Sequence, residues 1–416
     1  MSLPLPRRGG ARLRAAAGGL TMRVGFVVQR YGQGIDGGAE AHCRAVAERL
    51  AGRNQVTVIT TCARDYLSWA NHFPAGASEL NQVRVLRFPV ARPRRIRWFN
   101  YLARSLYEKP HPIDAEWRWL VRQGPYTPKL IDHLLEHEQD YDALVFFTYL
   151  YFPTAAGLPL VPYRSLLVPT AHDEPPLGLA LFRPLFHLPR CILYNTEAER
   201  DLVHARFHNQ QVPHRVVGLG IDPPTGGDPE RFCQRHGLEG PFLLYLGRVD
   251  VMKGCRELFD QFLQLVQEPP WQDLKLVLAG RRRMDIPRHP AILPLGFVSD
   301  EDKAAALQAA WALISPSPHE SLSMVTLEAG LAGKPVLVNR DCPVLARYVE
   351  ESGAGLAYRG YQELRQALER LRKDPGLARE MGGKGKSFVS RRYGWQRVLD
   401  IYQQELERVA RQAKGA

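Results

Sequence analysis

"SPSPHESLSMVTLEAGLAGKPVLV", residues 315–338, reads as a strand end, a broken loop, an apolar helix, a Gly-Lys-Pro turn and a second strand. That order is one unit of a parallel, doubly wound sheet. Two glutamates interrupt it, Glu320 at the mouth of the loop and Glu328 within the helix. Carboxylates are rarely buried unless something pairs with them. Either these two face water, or they hold a ligand.

The same rhythm runs outward in both directions. "RVGFVV" (23–28) is a buried strand, followed by the glycine-rich turn "GQGIDGGAE" (32–40). A helix then places Cys43, Val46, Ala47 and Leu50 on one face. "QVTVIT", "DALVFF", "SLLVPT" and "CILYN" are further strands of this half. After the Pro- and Gly-rich "LGIDPPTGGDPE" (219–230) the pattern restarts with the strand "PFLLYLG" and a helix over 254–267. "LKLVLAG", "WALIS" and "KPVLV" follow as strands. At 416 residues the chain suits two domains. The expected division is a disordered extension over 1–21, a first Rossmann-like domain over 22–218 and a linker over 219–240. A second such domain follows over 241–385, and a helix over 386–416 crosses back to the first. Residues 61–135, rich in Arg, Trp, Tyr and Pro, read as elaborated loops and helices.

Bulk properties narrow the function classes. No apolar run approaches the roughly 20 residues of a membrane span. The first 21 residues lack the apolar stretch of a secretory signal. Six dispersed cysteines, without Cys-x-x-Cys or metal-ligand spacing, suit a reduced cytoplasm. The formal charge of +12 calls for an anionic partner: nucleic acid, a membrane surface or a phosphorylated small molecule. No nucleic-acid-binding signature accompanies the charge.

In open α/β sheets ligands sit beyond the carboxyl ends of strands, and four constellations lie there. In "LGRVDVMKG" (246–254), Arg248 and Lys253 flank a loop that opens a helix, a combination suited to a diphosphate. Alone, they also read as solvated cations. In the opening stretch, Ser321, Leu322 and Ser323 would form the helix N-terminus, with Glu328 about two turns in. The two glutamates then stand about 12 Å apart along the axis, the span of a nucleotide sugar. Gly37 and Gly38 allow close backbone approach at the first helix. His172, Asp173 and Glu174 follow a strand of the first domain and would face the cleft. The acids at 140–142 and 300–302 read as loop and helix-start residues, and no metal is assigned.

Together these residues resemble the retaining glycosyltransferases of family four. The Glu, seven residues, Glu signature matches Glu320 and Glu328, and Gly247, Arg248, Lys253 and Gly254 match the Gly-Arg, four residues, Lys-Gly element. Gly220-Ile221-Asp222 fits the hinge, "YNTEAER" (194–200) the segment closing the first domain, and 393–406 the last helix. The sequence departs at Ser321-Leu322, where the family has Gly-Phe or Gly-Leu, and at Gly280-Arg281-Arg282-Arg283. The resemblance implies the GT-B fold, two Rossmann-like domains facing a cleft. It implies transfer of a hexosyl unit from a nucleotide-diphosphate sugar to a glycan or lipid-linked acceptor, as in cell-envelope polysaccharide biosynthesis. No metal or other cofactor is implied.

Carried over by position, Arg248, Lys253 and Gly247 would bind the donor diphosphate and Glu328 the ribose. Glu320, with Ser321, Leu322 and Ser323, would contact sugar and phosphates; Gly38 would close over them, and His172 would approach the sugar. Glu320, His172, Arg248 and Lys253 are the expected catalytic set. A sugar-nucleotide epimerase and a basic membrane-associated adaptor are the competing readings. A peripheral membrane seat is expected of "ARPRRIRWFNYLAR" (91–104), which mixes arginines with Trp98, Phe99 and Tyr101.

Overall fold

A computed structural model describes residues 21–35 and 37–414. The extension expected over 1–21 lies, but for Thr21, outside them. The described strands form two sheets. The first contains β1 (Arg23–Val27), β2 (Gln55–Thr61), β3 (Gly76–Leu80), β4 (Val83–Phe88), β5 (Ala143–Phe147), β6 (Ser165–Val168), β7 (Cys191–Tyr194) and β8 (His214–Val216), in the order β3-β4-β2-β1-β5-β6-β7-β8. The second contains β9 (Phe242–Leu246), β10 (Lys275–Ala279), β11 (Ile292–Gly296), β12 (Ala312–Ser315), β13 (Val336–Asn339) and β14 (Gly355–Tyr358), in the order β11-β10-β9-β12-β13-β14. Both are doubly wound α/β sheets, and all pairings are parallel except β3 with β4.

Central strands covered on both faces need apolar side chains at every position, and β5 and β9 are buried from end to end. The chain reverses direction across the first sheet between β1 and β5, and across the second between β9 and β12. Those switch points open crevices at the carboxyl ends of the strands.

The stretch 61–135 is more regular than its composition implied. It contains the β3–β4 hairpin, turned by Asn81 and Gln82 at φ 49° and 66°, a two-residue loop whose positive φ values suit the strand twist. It also contains helices Ile96–Glu108, Ile113–Gln123 and Pro128–Glu136. The arginine-aromatic segment 91–104 is therefore mostly helix. Phe99 is buried, and Arg94 turns inward to donate to Leu67 O at 3.0 Å and Gln123 Oε1 at 2.9 Å. Trp98 and Tyr101 remain exposed, at 58% and 71%. Among the described residues no helix is long and apolar enough to cross a membrane.

The boundary expected at 386 falls inside helix Pro375–Arg392, and the helix that returns to the first domain is Trp395–Lys414. Its apolar face buries Val398, Tyr402, Leu406 and Val409. Its polar flanks reach first-domain groups: Arg53 pairs with Asp400 at 2.9 Å, and Asn54 donates to Gln403 at 2.8 Å. Arg49 stacks over the Trp395 ring at 3.8 Å and bonds Asp222 at 2.5 Å, which ties the hinge segment down. A Cβ at Gly220 would run into that ring, so only glycine fits there.

His42 is wholly buried beneath this helix, edge-on to Phe147 at 5.2 Å, with the Tyr402 hydroxyl 3.4 Å from its Nε2. Burial pulls its pKa down to about 3. An unfolded histidine titrates near about 6.5, so the unfolded chain takes up a proton that the folded chain refuses. Stability from His42 is complete above about pH 6.5 and falls by about 1.4 kcal/mol per pH unit as acid is added. Urea unfolding at pH 7.0 and 5.0 should show His42→Leu losing less stability than the wild type over that interval. Equal losses would show that His42 does not govern the acid limb.

Candidate active site

The two switch points face one another across a cleft of about 880 Å³, lined by loops that follow β1, β5, β6, β9, β10 and β12. The volume is that of a small-molecule site. Gly38, His172, Gly247, Arg248, Lys253, Glu320, Ser321 and Leu322 all line it; Ser323 and Glu328 do not.

The second-domain wall is built on an ion pair. Lys253 Nζ donates to Glu320 Oε1 at 2.7 Å, joining the loop after β9 to the loop after β12. Gly254 makes this approach possible: at φ 71° its backbone presses on Pro316, and a Cβ there would strike the Pro316 carbonyl. The Arg248 guanidinium lies 2.9 Å from Asp250, while its backbone carbonyl accepts from the buried Tyr245 hydroxyl at 2.7 Å. Gly280 packs against Gly247 so closely that any side chain would displace the Gly247 carbonyl. Arg281, Arg283 and Lys303 add positive charge to this wall, against Asp300 and Glu320.

The helix start differs from the sequence reading. The helix is Met324–Leu331, so its free amides begin after Ser323, not at Ser321, and Glu328 stands about one turn in. Ser321 is held out of the helix because its carbonyl accepts from Thr196 of the first domain at 3.3 Å. Ser323 keeps an extended backbone, and its hydroxyl turns inward to Thr326 at 2.8 Å. Met324 and Val325 take their place at the cleft. Glu328 meets Lys303, whose Nζ donates to Oε1 at 3.0 Å; the other oxygen is buried with no partner among the described residues. Burial pulls the Lys303 pKa down, but Glu328 and Asp300 outweigh it and leave the ammonium above its ordinary range.

The first-domain wall carries aromatic and titratable groups. Arg30 and Glu40 form a buried pair, with Arg30 Nε donating to Oε1 at 2.8 Å, packed against Gly37, while the backbone of Gly38 is open. The Tyr149 hydroxyl donates to Glu174 at 2.7 Å, and His172 Nδ1 lies 3.7 Å from the same oxygen. Two contacts cross the cleft: His172 stacks on His319 with centroids 6.1 Å apart, and Arg248 lies 5.8 Å from the centroid of the Tyr66 ring. Behind the cleft, Glu197 receives Arg347 and Arg392, each at 2.8 Å, so an ionic network spans the domains.

Residues 240–374 match the family model of the glycosyl transferases group 1. The chain is 20% identical over 417 aligned positions to an uncharacterized glycosyltransferase of Methanocaldococcus jannaschii, covering 94% of this chain and all of that protein. The second domain thus resembles the glycosyl transferases group 1. A D-inositol 3-phosphate glycosyltransferase of Pseudarthrobacter chlorophenolicus is 29% identical over 227 residues, half of this chain and 54% of that enzyme. The Anabaena protein HepE, crystallised with UDP-glucose, superposes with a TM-score of 0.64 at 17% identity over 95% of this chain and all of its own. Its likeness establishes the GT-B fold.

Lys303, Tyr66, Tyr149 and Arg30 are cleft residues that the sequence reading passed over. Lys303 follows β11, a short strand with half-exposed positions and weak patterning, so its loop offered no strand end to search beyond. Tyr66 sits in the irregular region after β2, and its partner Arg248 is far away in sequence. Arg30 and Tyr149, each just after a well-marked strand, carried a usable signal.

Gly254→Ala tests the wall directly. A non-glycine residue in the left-handed region costs about 1–3 kcal/mol, and the clash with Pro316 adds to it. Thermal unfolding should fall by several degrees, and nucleotide binding should weaken more than stability alone explains. An alanine variant that matches wild type in both would refute the close approach.

Proposed function

We propose that this protein is a group 1 glycosyltransferase that moves a hexosyl unit from a nucleotide-diphosphate sugar to a glycan or lipid-linked acceptor, with retention of configuration and without a metal ion. One observation carries the reading: Arg248, Lys253 and the open helix start at Met324 share one wall of a cleft whose other wall presents His172 and Glu174. A departing nucleoside diphosphate needs its charge met at the transition state, and donors already fixed in place do so without reorganisation. Glu320 orients Lys253 and lies beside the place of the sugar; Lys303, held by Glu328, lines the cleft and suits a ribose diol.

In this mechanism the bond from the anomeric carbon to the diphosphate oxygen breaks as the acceptor hydroxyl adds on the same face. The hydroxyl proton passes to the leaving diphosphate. UDP-glucose, the ligand of the Anabaena fold relative, is the first donor to test, beside other nucleotide sugars in a thermal-shift panel.

Arg248→Ala and Lys253→Ala should each lower turnover about 10- to 100-fold, since a charge-assisted bond contributes about 1.5–3 kcal/mol. Glu320→Gln should reduce kcat more than nucleotide affinity, and Glu328→Gln the reverse. Transfer should survive EDTA, and NMR should show the donor's anomeric configuration in the product. Loss on chelation with recovery in magnesium or manganese, or an inverted product, would defeat the mechanism.

An anionic cytoplasmic membrane face is the proposed seat of a lipid-linked acceptor. Trp98 and Tyr101 stack on one another at 6.0 Å and project to solvent beside exposed Arg95 and Arg97, a mixture that suits anionic headgroups. Vesicles containing phosphatidylglycerol should co-sediment the protein, and Arg95→Glu with Arg97→Glu should abolish this. Sedimentation indifferent to both charge reversals would count against the surface.

A further inference from the structure

Two threonines at the cleft have backbones that β-branched residues rarely adopt. Thr148, after β5, has φ 70°, and Thr170, after β6, has φ 51°. Both line the cleft, and the second directly precedes Ala171 and His172. Such strain persists only where the surroundings impose it.

Glu199 imposes it. This residue lies in helix Glu197–Phe207, is 1% exposed, and has no lysine or arginine partner among the described residues. Its Oε1 accepts the Ala171 N–H and its Oε2 the Asn195 N–H, both at 2.6 Å. Burial pushes its carboxyl up to about 8. Thr196 accepts from the Glu199 N–H at 3.1 Å, so Thr196-x-x-Glu199 begins as an ordinary capping box. A cap does not account for the bond to Ala171, 28 residues earlier and on another loop.

We infer that Glu199 is a positioning residue: it clamps the strained turn after β6 so that His172 and Glu174 are presented to the cleft. The functional part of this inference rests on the transfer reaction proposed above. The clamp itself does not. Without the second carboxylate oxygen, Thr170 relaxes toward negative φ, the His172 ring leaves its stack on His319, and Glu174 withdraws from the Tyr149 hydroxyl.

Glu199→Gln keeps the side-chain length but offers an amide NH₂ to one of the two N–H donors. Hydrogen exchange should then quicken at least about tenfold at Ala171, while the amides of residues 200–207 keep their protection. The kcat should fall about tenfold or more with the donor KM unchanged. Asparagine tolerates a left-handed backbone, so in a Thr170→Asn background the same Glu199→Gln change should cost at least about threefold less in kcat. Glu199→Asp, which keeps a carboxyl group but is too short to span both donors, carries the same test if the glutamine variant does not fold. Unchanged exchange at Ala171, or loss of protection throughout the helix, would overturn the clamp. A protein with no transferase activity toward any donor, yet with the expected exchange pattern, would fail the proposed function and leave the clamp standing.

Discussion

The pair between Lys253 and Glu320, 2.7 Å apart, closes the gap between the loops that leave the second sheet on either side of its switch point. A doubly wound sheet necessarily parts its loops there, and something must hold the two sides at ligand distance. A half-buried cation and carboxylate do this while leaving two of the ammonium's three donors for the diphosphate of the proposed donor. The remainder of the wall is arranged around them. Gly254 presses against Pro316 so that Lys253 reaches Glu320, and the extended backbone at Ser323 delays the helix so that its first free amides arrive beside the pair.

Opposite this wall, the first domain supplies groups that titrate or stack more than groups that carry fixed positive charge. Tyr149, Glu174 and His172 share one oxygen, and their loops leave strands β5 and β6 through strained threonines. In the proposed reaction the asymmetry suits a division of labour, one wall for the donor's diphosphate and the other for the acceptor hydroxyl. The crossing helix Trp395–Lys414 and the ionic network of Glu197, Arg347 and Arg392 hold the walls in register. Exposed ion pairs contribute little singly, so the apolar face around Tyr402 carries more of that task.

Much of the fold was legible because parallel strands covered on both faces must be apolar throughout. β1, β5, β6, β7, β9, β10, β12 and β13 are therefore conspicuous runs. Four of the missed strands lie at sheet edges: β3 is "GASEL", β8 is three residues long, and β11 and β14 are half exposed, while β4, "VRVLRF", lies inside the sheet but within the stretch read as loops and helices. Edge strands bury one face at most, and their composition drifts toward that of loops. The helix start was misplaced for a different reason. Ser321-Leu322-Ser323 has good helix-start chemistry locally, but a hydroxyl from the other domain claims the Ser321 carbonyl.

By itself the sequence determined two doubly wound domains, their order, and that two glutamates in an apolar segment needed partners. Apolar periodicity and strand-end loops are local properties, readable within about ten residues. The tertiary structure decided who those partners are: Lys253 for Glu320, Lys303 for Glu328, and the amides of Ala171 and Asn195 for Glu199. It also decided which aromatic and basic residues of 91–104 turn inward and which face solvent. Electrostatic and hydrogen-bond partners are selected by distance in space, and a parallel sheet with crossovers brings together loops that lie tens of residues apart in the chain.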